Sequence, residues 1–481
     1  MSDALRLRDV ADFRATVERL VAAGQREPVA AEKARRFGAG AEALATAGVA
    51  EEAPVHAFFV PGRLEVLGKH TDYAGGRSII AAVERGICLV AAPGDAAAIH
   101  AVALDLDDAC TFDLAPDLAP TIGHWSNYPM TVARRLARNF PGELRGGAIA
   151  YSSDLPVAAG MSSSSTVMVA SFLALSAINR LAEREEFRRE VRDAESLAGY
   201  LGTIENGQSF GGLAGDKGVG TFGGSEDHVA MLCSRPGELA QYAYCPVRRE
   251  RRIALPAEYV FAVAASGVVA AKTGEAMAKY NRASGLARAV TAAWNRATGR
   301  RDPHLAAALA SDDLEAAAER MRGVLAASGG AEGFPAEELL PRFEHFLTEN
   351  ERVVPAAGDA LAAGEVDEFA RLADRSQRIA EDLLGNQVAE TAFLARSARE
   401  LGAPAASSFG AGFGGSVWAL LPRDEAEAFL PRWSRAYREE HPEPARQAAF
   451  FLTRPGTPAC ALSGQGVSPG PADPPPGEAD E

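Results

Sequence analysis

The chain has 481 residues, of which 47% are hydrophobic and 23% are charged, and its formal net charge is −15. These ordinary globular values exclude a collagen-like, fibrous or wholly disordered chain. The length predicts two or three domains. The acidic excess argues against a general binder of nucleic acid or anionic membranes, although a local basic pocket for a small anion is compatible with it.

The cysteines and the N-terminus indicate a cytoplasmic protein. The five cysteines are widely spaced and form no CxxC pair, which indicates a reducing compartment and no zinc or redox motif. The N-terminal stretch "MSDALRLRDVADFRATVERL" carries charges throughout and predicts an amphipathic helix, not a signal peptide. The longest largely apolar stretches fall short of the roughly 20 residues that span a bilayer, so we expect no membrane segment.

The predicted elements alternate along the chain. The N-terminal segment is rich in Ala, Arg and Glu and predicts helices. From Ala57 to about Leu114, short β-type runs alternate with Gly and Pro, and a helix in "WSNYPMTVARRLARNF" and a strand in "GAIAYSSDLPVAAG" follow. After Gly237, the strand-like runs "AQYAYCPV" and "YVFAVAASG" precede Ala-rich helical tracts between Lys272 and Leu401. The runs "GSVWALLP" and "AFFLTRP" predict two last strands.

This mixture predicts an α+β fold with two lobes and a boundary near residues 235–260. We expect an N-terminal helical extension, two lobes and a terminal tail. The tail is dominated by Pro, Gly and acidic residues with little to bury, so we expect it to be disordered. The predicted divisions are residues 1–50, 51–250, 251–463 and 464–481.

A serine-rich loop follows one predicted strand. In "SDLPVAAGMSSSSTVMVASFLALSAINRL", small residues from Val157 to Ser165 precede an apolar helix that begins near Thr166. The backbone of such a loop can approach a phosphate, the helix N-terminus supplies positive potential, and serine hydroxyls can bind oxygen or a divalent cation. Alternatively, the serines only cap the helix. No Gly-Lys-Ser/Thr follows, so this is not a Walker loop.

A glycine-rich run, "SSFGAGFGGSVWALL", lies just before a strand near the end of the predicted folded region. Alone, it indicates a tight turn or hairpin that needs positive φ angles. Because it opens no βαβ unit, it does not predict a dinucleotide site.

A third motif, "VPGRLEVLGKHTDYAGG", concentrates glycines and charged side chains between Val60 and Gly76. With "LPVAAGMSSSST" and "SFGAGFGG", it resembles in order and spacing the three signatures of the GHMP small-molecule kinases, and the first motif resembles the galactokinase branch. Weaker similarity extends from about Val55 to Leu462. The resemblance implies two lobes with a mixed sheet in each, an active site in the cleft between them, and ATP-dependent phosphorylation of a monosaccharide at its anomeric hydroxyl with Mg²⁺.

The resemblance also implies two catalytic residues. Arg63 would lie beside the reacting hydroxyl and stabilise developing negative charge, and Asp227 in "GGSEDHVAML" would accept the proton of that hydroxyl or orient it. Such a pair suits phosphoryl transfer, which is catalysed mostly by positioning and electrostatics. The structural alternatives are a turn-forming Asp and a surface Arg that follows Pro-Gly.

The serine loop would hold the ATP phosphates, with the glycine-rich motif nearby, and Ser164 and Glu205 would bind the magnesium ion. The segment between Glu205 and Asp227 is longer and richer in glycine than the resemblance implies. Either a loop beside the active site is extended, or one acid is misassigned, with Glu226 and Asp216 as the fallback carboxylates. The predicted ATP-binding residues are Gly160, Met161, Ser162, Ser163, Ser164, Ser165, Gly412 and Gly414.

For the sugar, the resemblance implies hydroxyl contacts from His70 and Asp72, from the backbone of Gly224 and from Tyr280. A buried carboxylate that bridges two hydroxyls gives strong, directional recognition. The alternatives are a structural His70 that bonds the loop backbone and a Tyr280 that packs its ring in a core.

Two positions depart from the galactokinase pattern, which usually has Asn and Glu where this chain has Glu65 and Lys69. In the galactokinases that this motif resembles, the glutamate at the second of these positions accepts a hydrogen bond from a hydroxyl at the far end of the hexose. One hypothesis is that Lys69 binds substrate through the carboxylate of galacturonate or glucuronate, or through a phosphate. The other is that Glu65 and Lys69 neutralise each other and leave a pocket for a neutral sugar, which is the commoner outcome for adjacent opposite charges.

A second class of function stays open, because some galactokinase-like proteins bind sugar and ATP as regulators with little turnover. Arg63, Asp227 and the serine loop favour an enzyme, whereas the rebuilt segment before Asp227 could abolish activity. We expect a sugar and ATP as partners, no nucleic acid or membrane, and a monomer or weak homo-oligomer, since no coiled-coil pattern is present.

Overall fold

The structure of the chain is a computed structural model. The predicted start of the serine loop at Val157, the predicted start of the helical tracts at Lys272 and most of the predicted disordered tail lie outside the described residues. The structure describes residues 5–156, 160–268, 274–310, 313–464 and 466–467.

The N-terminal segment is helical, as predicted, and packs on one face of the first sheet. Its Phe37 and Leu44 share a core with Val90 and Ala150 of that sheet. The buried Lys33 forms an ion pair with Asp154, which ties the segment to the chain just after a sheet strand. The helices are α1 (Leu7–Ala11), α2 (Phe13–Ala22) and α3 (Glu27–Thr46).

The first sheet is mixed. β1 (His56–Leu67) and β2 (Arg77–Pro93) form a long antiparallel pair, and β3 (Ala98–Ala103) runs parallel to β5 (Gly147–Ser153). β1 and β2 are buried along almost their whole length, because helices cover the sheet on both faces. The sheet also contains β4 (Asp108–Asp113), β6 (Glu238–Ala243) and β7 (Arg248–Ala254), and a short strand from the end of the chain completes it as the eighth.

A layer of helices covers the other face of this sheet. The helix that follows the serine loop is apolar nearly all round and lies in the centre of the core, which explains its lack of a polar face. The helices are α4 (Asn127–Asn139), α5 (Ser163–Ile178), α6 (Glu185–Glu190), α7 (Ala194–Asn206) and α8 (Glu226–Cys233).

The second sheet is antiparallel and has four strands, in the order β11 (Ala449–Thr453), β8 (Tyr259–Ala265), β10 (Ser416–Pro422) and β9 (Ala405–Phe409). A short last strand, β12 (Cys460–Ala461), returns to the first sheet and pairs with β1. The helices of this half are α9 (Gly274–Thr298), α10 (Leu305–Leu309), α11 (Leu314–Ala327), α12 (Ala336–Leu347), α13 (Val354–Ala363), α14 (Val366–Ile379), α15 (Ala389–Glu400) and α16 (Arg423–Glu440).

The run "AQYAYCPV" contributes β6 to the first sheet, whereas "YVFAVAASG" contributes β8 to the second. Within the predicted boundary region, residues 235–260, β7 of the first sheet ends at Ala254 and β8 of the second sheet begins at Tyr259. The α+β architecture with two sheets confirms the predicted fold class, while the four domain divisions stay a prediction. Among the described helices, none combines the length and apolar composition that a membrane span requires.

A core shared by both sheets holds the "VPGRLEVLGKHTDYAGG" motif in place. Leu64 and Val66 of β1 pack with Phe409 and Trp418 of the second sheet. The indole N–H of Trp418 also donates a hydrogen bond to the carbonyl oxygen of Val66 at 3.1 Å. The strand that carries Arg63 is therefore fixed against both halves of the molecule.

Candidate active site

A cavity of about 430 Å³ lies where the three motifs meet. It is bordered by β1 and the loop after it, the start of α5, the start of α8, one side of α9 and the turn after β9. The predicted site residues that line it are Arg63, His70, Asp72, Gly160, Ser162, Ser163, Ser164, Glu205, Gly224, Asp227 and Tyr280.

Arg63 and Asp227 form an ion pair in this cavity. The Arg63 Nε donates to Asp227 Oδ1 at 2.7 Å, and its Nη1 donates to the carbonyl oxygen of Gly160 at 3.3 Å. Arg63 is only 5% exposed, so it is not a surface charge, and Asp227 lies in the first turn of α8. Burial lowers the pKa of Arg63, but the attraction of Asp227, Glu226 and Glu65 outweighs burial and raises it, so the guanidinium stays charged.

The start of α5 borders the same cavity. Ser162 precedes the helix in the left-handed region at φ 58°, and Ser163 and Ser164 of the first turn line the cavity. An α-helix N-terminus offers free N–H groups and positive potential to an anion. The predicted serine loop therefore borders the cavity through its described part.

Ser165 brings the two predicted acids together. Its buried hydroxyl lies 2.7 Å from Glu205 Oε2 and 3.3 Å from Asp227 Oδ2. Met161 differs from its predicted role, because its side chain is buried in the core between the sheets and does not line the cavity. Its carbonyl oxygen instead accepts a hydrogen bond from the Arg63 backbone N–H at 3.2 Å.

The extended segment between Glu205 and Asp227 folds back on α7. The Val219 N–H donates to the Glu205 carbonyl oxygen at 2.9 Å, and the Asp216 N–H donates to the Gly207 carbonyl oxygen at 3.0 Å. The Asp216 carboxylate pairs with Arg134 at 2.7 Å and does not line the cavity, which removes it as a fallback acid. The extra residues therefore leave Glu205 and Asp227 side by side.

The oxygen donors of this wall fit a magnesium ion. The described residues contain no cluster of three or more His, Cys, Asp or Glu side chains arranged for a metal. Magnesium in kinases usually takes only one or two carboxylates and completes its shell with phosphate oxygens and water. The Ser164 hydroxyl and the Glu205 carboxylate, both at the cavity, are donors of this kind.

Asp72 and Gly224 lie in close contact at the cavity. The Asp72 Oδ2 accepts a hydrogen bond from the Glu226 backbone N–H at 3.3 Å. A Cβ atom on Gly224 would lie 2.4 Å from this oxygen, so only glycine fits there. Burial, together with the charge of Asp227, raises the pKa of Asp72 to about 6.

The two predicted aromatic sugar ligands have different surroundings. The His70 Nε2 donates to the carbonyl oxygen of Ala411 at 3.0 Å, which leaves Nδ1 to accept from the Tyr73 hydroxyl at 2.8 Å. These contacts favour the alternative in which His70 bonds the loop. The Tyr280 ring lies 5.3 Å from the His70 ring and lines the cavity, so it is not an ordinary core tyrosine.

Comparisons with known proteins decide the family. A galactokinase from Chloroflexus aggregans (strain MD-66 / DSM 9485) is 30% identical over 385 residues, which is 78% of this chain and 86% of that protein. The chain belongs to the galactokinase family. It is a galactokinase-like sugar kinase.

Further matches agree with galactokinase membership. The galactokinase galactose-binding signature matches residues 47–93, the GHMP kinase N-terminal domain matches 127–207, and the GHMP kinase C-terminal domain matches 359–439. A galactokinase from Roseiflexus sp. (strain RS-1) is 28% identical over 396 residues, covering 82% of this chain and 90% of that protein. The Lactococcus lactis galactokinase crystallised with galactose shares the fold at TM-score 0.68 and 22% identity, covering 84% of this chain and 95% of that one.

Lys69, an unusual residue for a galactokinase, lies outside the cavity. Its ammonium group donates hydrogen bonds of 2.8 Å to Ser376 on α14 and 2.8 Å to Ser407 on β9. Ser376 in turn donates to Glu349 at 2.9 Å. Lys69 is not among the residues that line the cavity, so the structure does not place it at the predicted substrate contact. Its side chain extends into the second half of the molecule instead. Burial lowers the pKa of Lys69, while Glu349 and then Glu65 attract its charge. Among the described ion pairs none joins Glu65 to Lys69, and Glu65 lies near Arg63 instead.

The glycine-rich motif contributes other residues than those predicted. Gly410 and Ala411 line the cavity, whereas Gly412 and Gly414 do not. A Cβ on Gly412 would lie 2.3 Å from the Asn386 carbonyl oxygen, and one on Gly414 would lie 2.7 Å from that of Val268. These two glycines therefore allow close backbone packing beneath the turn.

Sequence reasoning missed two groups that line the cavity. One is the carboxyl pair of Glu65 and Glu226. In the sequence, Glu65 stands out only as a departure from the family pattern and Glu226 only as a fallback acid. The other is an aromatic end formed by Trp125, Tyr128 and Tyr151. The weak match "WSNYPMTV" contains two of these rings and is the signal that could have located it.

Proposed function

We propose that this galactokinase-like enzyme transfers the γ-phosphoryl group of ATP to the anomeric hydroxyl of a monosaccharide, with Mg²⁺, giving a sugar 1-phosphate and ADP. The observation that carries the proposal is the shared cavity in which the Arg63–Asp227 pair, the start of α5 and the Glu205 carboxylate meet. Phosphoryl transfer needs this combination, because its catalysis consists mostly of positioning and charge stabilisation.

ATP would lie along the serine side of the cavity. The first-turn N–H groups of α5 and the hydroxyls of Ser162, Ser163 and Ser164 suit the phosphates. The aromatic end, with Trp125 and Tyr128, offers apolar faces for the base. Ser164 and Glu205 would hold Mg²⁺, which neutralises phosphate charge when bound.

The acceptor hydroxyl would lie between Arg63 and Asp227. Its oxygen forms a bond to the γ-phosphorus while the bond from that phosphorus to the β-phosphate oxygen breaks, and its proton passes to Asp227. The Asp227 carboxylate is oriented at both oxygens, by Arg63 at 2.7 Å and by Ser165 at 3.3 Å. Arg63 stabilises the negative charge that spreads over the transferring group.

Galactose is the first acceptor to test, since the relatives are named galactokinases. The anionic-sugar hypothesis loses its main residue, because Lys69 bonds Ser376 and Ser407. Several carboxylates line the cavity, and their negative charge opposes binding of the negatively charged carboxylate of a uronic acid. The cavity keeps Arg63, Asp227 and the N-terminus of α5. Their presence supports a catalytic function and not a purely regulatory one.

All five cysteines are free thiols, which supports the proposed cytoplasmic location. The expected state as a monomer or weak homo-oligomer stays a prediction.

A coupled ADP-release assay with galactose, glucose, galacturonate and glucuronate tests the proposal. We expect turnover of galactose, at least about tenfold weaker use of either uronic acid, and loss of turnover in Asp227→Asn. Asp216→Asn is the matched control, because it removes a carboxylate from the same segment but outside the cavity. No turnover of any sugar by a protein that binds ATP would refute the kinase assignment.

A further inference from the structure

Glu65 presents a buried carboxylate to the cavity. It follows Arg63 by two residues on β1, and both side chains line the cavity from the same strand. Glu65 is 4% exposed, and its Oε2 lies 3.8 Å from Arg63 Nη1. Its Oε1 accepts no hydrogen bond from an N–H or O–H group of the described residues. A buried carboxylate oxygen without such a donor is costly, so this oxygen needs either a proton held between Glu65 and the neighbouring Glu226 or a charged donor from the ligand.

Glu226 adds a second carboxyl group at the same point. It is 5% exposed, lines the cavity and lies 3.4 Å from Arg63 Nε. Burial, and then the charge of Glu65, raises the pKa of Glu226, and burial also raises the pKa of Glu65. With no ligand present, the two groups can share one proton. A bound cation could take the place of that proton.

The charges around Arg63 are unbalanced. Its guanidinium already pairs with Asp227 at 2.7 Å and lies near both glutamates. Lys69 is directed to Ser376 and Ser407 and does not line the cavity. The galactokinase pattern usually has a neutral Asn where this chain has Glu65. A carboxylate there suits a charged donor better.

The place of the pair suggests where the substrate carries its charge. Arg63 is the residue proposed to lie beside the anomeric hydroxyl, and Glu65 and Glu226 flank it. A substituent that reaches them would lie on the neighbouring ring carbon, C2. A divalent cation is the weaker alternative, because the residues proposed to hold Mg²⁺, Ser164 and Glu205, lie on the serine side of the cavity.

We propose that Glu65 and Glu226 bind the ammonium group of a 2-amino-2-deoxyhexose, and that such an amino sugar is preferred to the neutral hexose. This inference rests on the proposed sugar 1-kinase function.

The test compares galactosamine, galactose and 2-deoxygalactose at about pH 7, where a sugar ammonium is largely protonated. Affinity is measured by calorimetry and kcat/KM by ADP release. We expect galactosamine to exceed galactose by about tenfold or more in both, and 2-deoxygalactose, which lacks any donor at C2, to be weakest. In Glu65→Gln the galactosamine-to-galactose ratio should fall by about tenfold.

Asp105→Asn is the matched control. Asp105 also lines the cavity, but its carboxylate pairs with Arg36 at 3.0 Å, whereas the two glutamates lie near Arg63. Its substitution should leave the galactosamine-to-galactose ratio within about twofold, since no charge changes beside C2.

Galactosamine binding no better than galactose, or an unchanged ratio in Glu65→Gln, overturns the inference. If galactose is turned over in the same assay, the proposed function stands despite that failure. If no sugar is turned over, the proposed function fails and calorimetry alone decides the ammonium site. Should Glu65→Gln not fold, the comparison of the sugars on the unaltered protein decides.

Discussion

Lys69→Met should destabilise the protein without changing which sugars it uses. Lys69 is 1% exposed, and its ammonium donates 2.8 Å hydrogen bonds to Ser376 and Ser407. The Ser376 hydroxyl in turn donates a 2.9 Å hydrogen bond to the Glu349 carboxylate. Met has a similar length and leaves no large cavity, so the substitution removes the charge and its hydrogen bonds but little packing.

The expected loss follows from the buried charges that remain. Breaking a buried charged network from one side costs roughly 3–5 kcal/mol, because the opposite charge stays buried without its partner. Burial also lowers the pKa of Lys69, so part of the attraction to Glu349 already offsets the cost of desolvating the ammonium. We therefore expect the free energy of unfolding to fall by about 3 kcal/mol, the lower end of that range.

Urea unfolding followed by tryptophan fluorescence measures this loss, and ADP release measures the galacturonate-to-galactose ratio of kcat/KM. Lys33→Met is the matched control, since Lys33 is also 1% exposed and pairs with Asp154 beneath α3. Both variants should lose stability and keep the ratio. A Lys69→Met protein that is as stable as wild type within about 1 kcal/mol, with galacturonate use reduced about tenfold, would refute the reasoning.

Three further predictions concern the cavity. Asp227→Asn should lower kcat by roughly 10²- to 10⁴-fold while calorimetry still detects ATP binding; a loss below tenfold would remove Asp227 from catalysis. Asp72 has a folded pKa of about 6, above its ordinary 3.8, so ionised Asp72 costs stability as pH rises between these values. Asp72→Asn should thus be more stable than wild type at about pH 7, by up to about 3 kcal/mol, with the gain vanishing near pH 4; a gain independent of pH contradicts this. Gly410 has a φ of 87°, and in Gly410→Ala the added Cβ would lie 2.7 Å from the Gly160 carbonyl oxygen. We therefore expect kcat/KM for ATP to fall by roughly 10- to 100-fold. An unchanged kcat/KM would contradict close contact of the two loops.

The sequence allowed prediction of the fold class and of most residues around the cavity, because the motifs are local. Pro61, Gly62 and the serines fix backbone shape over a few residues, and the resemblance then implied which side chains would meet. Arg63 and Asp227 are far apart in the chain, yet the structure pairs them at 2.7 Å.

The rest depended on contacts that no local pattern encodes. The pairing register of β1 with β2 shifts between Glu65 and Leu67, and Lys69 follows with its side chain in the second half of the molecule. The fold-back of the segment after Glu205 depends on partners such as Arg134 in α4. The meeting of Glu65 and Glu226 around Arg63 is likewise a long-range contact.

The most direct test of the account is the position of the phosphate on the product. Galactose and galactosamine are each incubated with ATP, Mg²⁺ and the enzyme, and the product is examined by phosphorus NMR. We expect a sugar 1-phosphate, which is recognised by coupling of its phosphorus to the anomeric proton. It should form in equal amount to the ADP and be absent with Asp227→Asn. A phosphate on any other hydroxyl, or ADP release without a phosphorylated sugar, would contradict this expectation.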